Sequence, residues 1–295
     1  MNLFSIKSRK HAVGMMLTGA LMISFSGVYV KLAHVSSETA GFYRVIFGAI
    51  PLFIILLVKR EPLWKGWYTC LLGITGGIFF AIDLFAWHKS IHYIGPGLAT
   101  ILGNFQVFFL AGIGIFVLKE KITPRLLLAI PFAIAGLFLV VGVAWENLSS
   151  AYKTGIFLGI VTAMCYTGYI LSLKKLQSMP KPLSAEANLL IICLSTATIF
   201  ACLMLFQKNA FVIPDIQSFL SLAAYGFLSQ ALGWMIISRA LPHLQTSVTG
   251  LLLLLQPTFA FAWDMIFFSR PTSLLDITGI MLTIFAIYLG SARQK

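Results

Sequence analysis

Residues 67–88 read WYTCLLGITGGIFFAIDLFAWH and carry a single Asp, Glu, Lys or Arg residue, Asp83. A helix needs about 20 mainly apolar residues to cross a hydrocarbon core roughly 30 Å thick. Lipid offers the backbone no hydrogen-bond partners, so an isolated segment of this kind must be helical. The stretch is therefore predicted to be a transmembrane helix with one ionisable side chain inside the membrane.

The rest of the chain has the same character. Of its 295 residues, 59% are hydrophobic and 10% are charged, whereas a soluble protein has about 25% charged residues. The sequence thus predicts an all-α integral membrane protein with ten transmembrane helices. The predicted spans, numbered one to ten, are 11–33, 38–58, 67–88, 94–117, 124–144, 152–173, 184–206, 217–238, 244–267 and 273–291.

The connections between spans are short, which leaves no room for a separate catalytic or receptor domain. The four cysteines lie inside spans without a CxxC pair. His88 and His92 have the i, i+4 spacing of a helical metal pair, but no third ligand accompanies them. We therefore expect no disulfide framework, no metal and no cofactor.

The net charge of +12 comes from basic residues at span ends, not from one basic face. When the N-terminus is placed inside, most of these residues lie on the inner side of the membrane. This positive-inside bias predicts that both termini are cytoplasmic. We interpret the charge as a topology signal and expect no nucleic-acid partner. The expected location is the cell (inner or plasma) membrane, with membrane lipid around the protein.

The sequence contains an internal repeat. Residues 71–143 align with 221–293 at a constant offset, and the first span aligns with the sixth. The two halves, 1–145 and 146–295, would each hold five helices. Because five is odd, the second half enters the membrane from the opposite side, and inverted repeats place a solute site near the midplane between the halves. Aligned pairs include Gly76 with Gly226, Lys89 with Arg239, Ile94 with Leu244 and Gln106 with Gln256.

Two ionisable residues, Arg44 and Asp83, lie at similar depth inside spans two and three. Such groups are costly in a membrane and are functional candidates by default. We expect them to pair. The pair would either pin two helices together or bind a zwitterion or carry a proton.

Neutral amides and aromatic rings complete the candidate set. Gln106 and Gln256 occupy equivalent positions in spans four and nine, where they could line a cavity or bind helices together. Pro257 could kink span nine, whereas span four has Val107 there. Trp87 and Trp263, near span ends, suit an interfacial belt. The candidate substrate-binding residues are Phe25, Tyr29, Phe79, Asp83, Asn104, Gln106, Tyr166, Gln230, Trp234 and Gln256.

Several short motifs, taken in order, resemble the drug/metabolite transporter superfamily, and specifically its EamA-type ten-helix exporters. They are FYR at 42–44, DLFAWHKSI at 83–91, ATILGN at 99–104, LKEKIT at 118–123, SQALGW at 229–234 and LQP at 255–257. The resemblance covers essentially the whole chain. It implies export of small metabolites, often amino acids or amphipathic compounds, through a cavity lined by spans one, three, four, six, eight and nine.

Two positions depart from the family pattern. Val107 replaces the usual proline of span four, which could change how that span bends. Arg270 replaces an acidic residue after span nine, which removes the symmetric partner of Glu120.

The sequence therefore favours a secondary transporter of small metabolites, either amino acids or small amphipathic or zwitterionic compounds. Alternating access between the repeats would move the solute, in the direction of export, by a monomer or a homodimer. The alternatives are a facilitator of the same solutes that needs no gradient, and an intramembrane enzyme that uses Asp83 with His88 as an acid/base pair. No enzyme activity is expected from the leading interpretation.

Overall fold

The computed structural model describes residues 8–120, 123–141, 149–207, 211–269 and 273–291. Throughout these residues the ordered elements are helices, and no strand occurs among them, as expected for an all-α membrane protein. The predicted boundary between the halves at 145/146 and the residue Arg270 lie outside the described residues.

The helices follow the predicted spans closely, but several spans are built from two or more segments. Span one is α1 and α2, span eight is α9 and α10 joined by a π-helical segment, and span nine is α11 and α12. The elements are α1 (Arg9–Ser24), α2 (Ser26–Leu32), α3 (Ser37–Lys59), α4 (Trp67–Asn104), α5 (Gln106–Gly112) with the π-helical turn Ile113–Val117, α6 (Pro124–Val141), α7 (Ser150–Gln177), α8 (Ala185–Gln207), α9 (Ile216–Ala224), the π-helical segment Tyr225–Gly233, α10 (Trp234–Ala240) with the 3₁₀ turn Leu241–His243, α11 (Thr246–Leu253), α12 (Leu255–Phe268) and α13 (Leu274–Ser291).

Seven helical stretches in the described part are long and apolar enough to cross a membrane. Shorter apolar helices stand at the places of predicted spans four, five and ten: Leu102–Val117, Pro124–Gly136 and Leu274–Gly290. The count of ten spans and the side of each terminus stay predictions.

Helix α4 runs from Trp67 to Asn104 and therefore covers span three and the start of span four. A straight helix would place residues 87 and 103 about 24 Å apart. Instead, a Cβ on Gly103 would lie 3.9 Å from Trp87 Cδ1. The chain therefore turns back on itself between these residues, which agrees with two separate spans.

The packing pattern is unchanged when the two halves are exchanged. Span three packs on spans six and seven, and its counterpart, span eight, packs on spans one and two. Equivalent spans of the two halves also pack on each other: span two on span seven, span four on span nine, and span five on span ten. This exchange symmetry is what a pair of structural repeats produces.

Spans two and eight touch backbone to backbone at a pair of glycines. A Cβ on Gly226 would lie 2.7 Å from the backbone nitrogen of Gly48, and a Cβ on Gly48 would lie 3.1 Å from the carbonyl oxygen of Gly226. Small residues permit such close helix approach in membranes. The contact matters for the site because Arg44 and Gln230 lie one helical turn away from it.

We predict that Gly226→Ala destabilises the protein, because its Cβ would meet rigid backbone and force the two helices apart. The expected cost is about 1–3 kcal/mol, seen as a lower midpoint of thermal unfolding in detergent. Gly14→Ala is the matched control, since nothing lies within 4 Å of a Cβ at Gly14. Equal midpoints for the two variants would contradict the contact.

Candidate substrate cavity

A cavity of about 350 Å³ lies between the two halves. Its walls come from spans one, three, four, six, eight and nine, as the family resemblance implied, with Arg44 added from span two. The lining residues are Ile23, Ser24, Ser26, Gly27, Val28, Val30, Lys31, Arg44, Phe80, Asp83, Leu84, Trp87, Ile91, Gly103, Asn104, Thr162, Tyr166, Tyr225, Trp234, Gln256, Pro257 and Ala260.

Within the part of the chain that the structure describes, the cavity extends toward one end of the molecule. Its lining extends to Lys31 and Ile91, near the predicted outer ends of spans one and three. Toward the opposite end, the rings of Phe80, Tyr169 and Trp234 pack together, with centroids 4.4 Å apart for Phe80 and Tyr169 and 4.6 Å apart for Tyr169 and Trp234. All three side chains are almost completely buried, so they form the floor of the cavity.

One face of α4 supplies a large part of the wall. Its lining residues are spaced by three or four positions, which puts them on a single side of the helix. Asp83 is therefore flanked on its own helix by apolar and aromatic side chains, which are Phe80, Leu84, Trp87 and Ile91.

Asp83 is buried, with 7% of its surface exposed. It lines the cavity, and the structure gives its carboxylate no hydrogen bond or ion pair with the described residues. Its backbone carbonyl, by contrast, accepts a long hydrogen bond from Thr162 Oγ1 at 3.5 Å. The carboxylate is thus an acceptor that the described part of the protein leaves available to the cavity.

Arg44 is held tightly by span eight. Its Nε donates to Gln230 Oε1 at 2.8 Å, and its Nη1 donates to the Tyr225 hydroxyl at 2.7 Å. The guanidinium also lies over two rings, 5.0 Å from the centroid of Phe80 and 4.7 Å from that of Tyr225. Such contacts stabilise a desolvated arginine.

The π-helical segment explains why both partners reach Arg44. Tyr225 and Gln230 are five residues apart, and a π-helix closes its turn from i to i+5. In an α-helix, the same spacing would point the two side chains in different directions. The local π geometry therefore builds the arginine pocket.

The direct Arg44–Asp83 ion pair expected from the sequence is not found: within the described residues, no contact between their charged atoms falls within 4 Å. The reason is that Gln230 and Tyr225 already occupy the guanidinium. Both residues line the same cavity, but as separate groups.

The two equivalent glutamines differ in position. Gln256 lines the cavity and donates from Nε2 to the Tyr166 hydroxyl at 3.1 Å. Gln106 is fully buried against span nine and donates to the Gly250 carbonyl at 3.3 Å. Of the two amides, only Gln256 belongs to the described cavity lining; Gln106 is covered by span nine, which approaches span four closely at Gly250.

Spans four and nine both break next to these amides. The breaks lie at Phe105 and Leu254, with ψ angles of −8° and −11°. Pro257 explains the break in span nine, since it cannot donate a hydrogen bond to the carbonyl four residues earlier. Span four breaks within one residue of the equivalent place although it has Val107, so the missing proline does not remove the break.

Of the other candidates, Asn104, Tyr166 and Trp234 line the cavity, whereas Phe25, Tyr29, Phe79 and Gln230 are not part of its described lining. Phe25 stacks on Trp263 with centroids 4.2 Å apart, and Phe79 packs against Gly168. Gln230 acts behind the wall, through Arg44.

Sequence reasoning missed several wall residues. Trp87 and Phe80 share the Asp83 face of α4, and helical spacing could have identified them. Tyr225 could not have been found this way, because its orientation depends on the π-helical segment. Trp263 donates to Ser24 Oγ at 2.7 Å inside the protein, so it is not only an interfacial anchor.

His88 is buried, and neither ring nitrogen has a hydrogen-bond partner among the described residues. It therefore makes no hydrogen bond to Asp83, as an acid/base pair would. His88 is also not part of the described cavity lining.

The predicted cytoplasmic end is closed by a latch of hydrogen bonds to the N-terminus of α11. Glu120 accepts from the backbone nitrogens of Thr246 at 2.6 Å and Ser247 at 3.3 Å. Lys174 donates to the Leu244 carbonyl and to Thr246 Oγ1, both at 2.7 Å, and lies 3.7 Å from Glu120. The latch joins a residue of the first half to two helices of the second.

The environment of Glu120 favours its charged form. Burial alone would raise its pKa, but the hydrogen bonds from Thr246 and Ser247 outweigh burial and lower the pKa below the ordinary value. A lowered folded-state pKa means that Glu120 is charged at neutral pH, so its hydrogen bonds to α11 are charge-assisted there and stabilise the latch. It is lost only as the pH falls below the usual carboxyl range.

Seven apolar helical stretches long enough to cross a membrane, with a cavity between the two halves of the chain, define a multi-pass integral membrane protein. The EamA-like transporter family matches residues 10–142 and again residues 153–292. The chain belongs to this family, and the two matches correspond to its two repeats.

Individual relatives agree with this assignment. A protein of Salmonella typhimurium named "Probable amino-acid metabolite efflux pump" is 24% identical over 91% of this chain and 90% of its own length. An "Uncharacterized transporter" of Haemophilus influenzae is 23% identical over 84% of this chain and 80% of its own length. A solved structure, titled "Crystal structure of protein", shares the fold with a TM-score of 0.83 over 96% of this chain and 99% of that chain, at 16% identity.

We predict that Arg44→Met destabilises the protein by about 1–3 kcal/mol for each buried partner left unpaired. In the double variant Arg44→Met with Gln230→Leu, part of this loss should be recovered, because the stranded amide is gone. A double-mutant cycle on thermal unfolding in detergent measures the coupling. Strictly additive losses would show that the Arg44–Gln230 bond contributes nothing.

Proposed function

We propose that this chain is a secondary transporter that exports small metabolites by alternating access. The observation that carries the proposal is the one-sided cavity between the halves. It extends toward the predicted outer face and is closed toward the predicted cytoplasmic face by packed rings and by the Glu120 latch. A solute held there would need the opposite end to open.

The size and chemistry of the cavity support a small organic solute. A volume of about 350 Å³ is at the lower end of the range typical of small-molecule sites. Its lining is mainly apolar and aromatic, with few convergent polar groups. The Salmonella relative's name, which refers to efflux of amino-acid metabolites, supports both the solute class and the direction.

Matching ion pairs in the two halves support the inverted repeat. Glu38 lies 3.5 Å from Lys89 between spans two and three, and Glu186 lies 2.6 Å from Arg239 between spans seven and eight. With five spans in each half, the equivalent pairs would lie at opposite membrane faces. We propose that interchanging the conformations of the halves exposes the cavity alternately.

We predict that Gln256→Ala impairs transport with little loss of stability, because it removes an amide from the cavity wall while Tyr166 can be rehydrated there. The expected change is a several-fold higher KM for efflux in proteoliposomes. Gln106→Ala is the matched control, since the equivalent amide is buried away from the cavity and should affect folding but not KM. Equal KM values for both variants would contradict the wall assignment.

We predict that Glu120→Gln opens the cytoplasmic end more often. One charge-assisted hydrogen bond contributes about 1.5–3 kcal/mol, so the open fraction should rise roughly tenfold or more. The readout is the labelling of Ser26→Cys, a cavity residue, by an impermeant maleimide added from the cytoplasmic side. The background protein has its four native cysteines replaced by alanine.

Glu61→Gln, in the connection between spans two and three on the same predicted side, is the control and should leave labelling unchanged. If Glu120→Gln labels no faster than this control, the latch does not gate access to the cavity.

A further inference from the structure

We propose that Asp83 binds the protonated amine of the transported solute, and that the site requires no carboxylate on that solute. The inference rests on the proposed transport function and specifies the solute class: an organic ammonium ion with an aromatic or apolar body.

The first argument is the isolation of Asp83. The other strongly buried carboxylates in the described part have cationic partners: Glu38 has Lys89, and Glu186 has both Lys59 and Arg239. Asp83 is similarly buried, but its carboxylate forms no ion pair with the described residues, and the charge of Arg44 acts on it only from beyond 4 Å. A buried carboxylate is tolerated as an anion only when it is paired, and otherwise it takes up a proton. A cationic solute that enters the cavity would supply the partner that the Asp83 carboxylate lacks.

The second argument is that Arg44 forms no ion pair with Asp83 and is held by other partners. Its guanidinium donates to Gln230 and Tyr225 and lies between two rings. Leaving these contacts would strand a buried amide and a buried hydroxyl, at a cost of about 1–3 kcal/mol each. Arg44 therefore acts as a brace between spans two and eight, and it is not the principal anion site of the cavity.

The third argument concerns the surroundings of Asp83. Trp87 lies one helical turn away on the same wall, and Tyr166, Tyr225 and Trp234 add further rings to the lining. Aromatic faces attract organic cations, most strongly on tryptophan. A carboxylate beside aromatic rings thus recognises an ammonium group, and the remaining apolar wall suits the body of the solute.

The test uses three probes, each of which has a phenyl ring attached to a two-carbon chain that carries the charged group or groups. Phenylalanine has an amine and a carboxylate, 2-phenylethylamine has only the amine, and 3-phenylpropionate has only the carboxylate. Binding to the purified full-length protein in lipid nanodiscs is measured by calorimetry, and exchange of each radiolabelled probe is measured in proteoliposomes. We expect 2-phenylethylamine and phenylalanine to bind and 3-phenylpropionate to bind at least tenfold more weakly.

Variants then assign the effect to Asp83. Asp83→Asn should weaken 2-phenylethylamine binding at least tenfold, whereas Asp83→Glu should retain part of the affinity because it keeps the carboxylate. Asp276→Asn is the matched control. Asp276 accepts hydrogen bonds from Ser273 at the exposed start of α13 and is not part of the cavity lining. Removing its charge should not change binding of the amine. Thermal unfolding of each variant verifies that it is folded.

Each result decides one claim. The inference is overturned if 3-phenylpropionate binds as tightly as the amine, if folded Asp83→Asn binds the amine as the unaltered protein does, or if none of the three probes binds. Exchange of a probe that persists in Asp83→Asn would overturn the inference but leave the transport function standing. Binding that depends on Asp83 but is never followed by exchange would support the amine site and contradict transport.

Discussion

Lipid cannot hydrogen-bond a polar side chain, so a charged group placed at depth in a membrane must find its partners within the protein. The Arg44 brace meets this requirement. It depends on the glycine contact between spans two and eight, which brings the helices together, and on the π-helical segment, which turns Tyr225 and Gln230 to the same side. With Arg44 satisfied in this way, Asp83 remains as the acceptor facing the cavity.

Hydropathy predicts where a residue lies along a span, but not on which side of the helix its side chain lies. The apolar stretches, the positions of Arg44 and Asp83 and the equivalence of Gln106 and Gln256 follow from composition and alignment. The direction depends on breaks and π turns, which shift the side chains that follow them. Tyr225 lines the cavity through its π-helical segment, whereas Phe80, not the predicted Phe79, lines it because it shares the Asp83 face of α4.

The repeats agree in packing but differ in detail, and the differences carry the functional argument. Helix pairs and the Glu38–Lys89 and Glu186–Arg239 contacts have equivalents in both halves. In contrast, Gln256 faces the cavity and Gln106 does not, and Glu120 latches one end. A symmetric scaffold that holds an asymmetric cavity is what one conformation of an alternating-access cycle requires.

Reciprocal movement of the two ends during transport is the central claim of this account. Spin labels on the exposed residues Leu118 and Lys175 would report on the latch end, and labels on the exposed residues Tyr93 and Phe267 would report on the predicted outer end. When a transported solute is added, pulsed electron–electron double resonance in nanodiscs should show the Leu118–Lys175 distance growing while the Tyr93–Phe267 distance shrinks. Distances that both stay fixed, or that change in the same direction, would contradict alternating access.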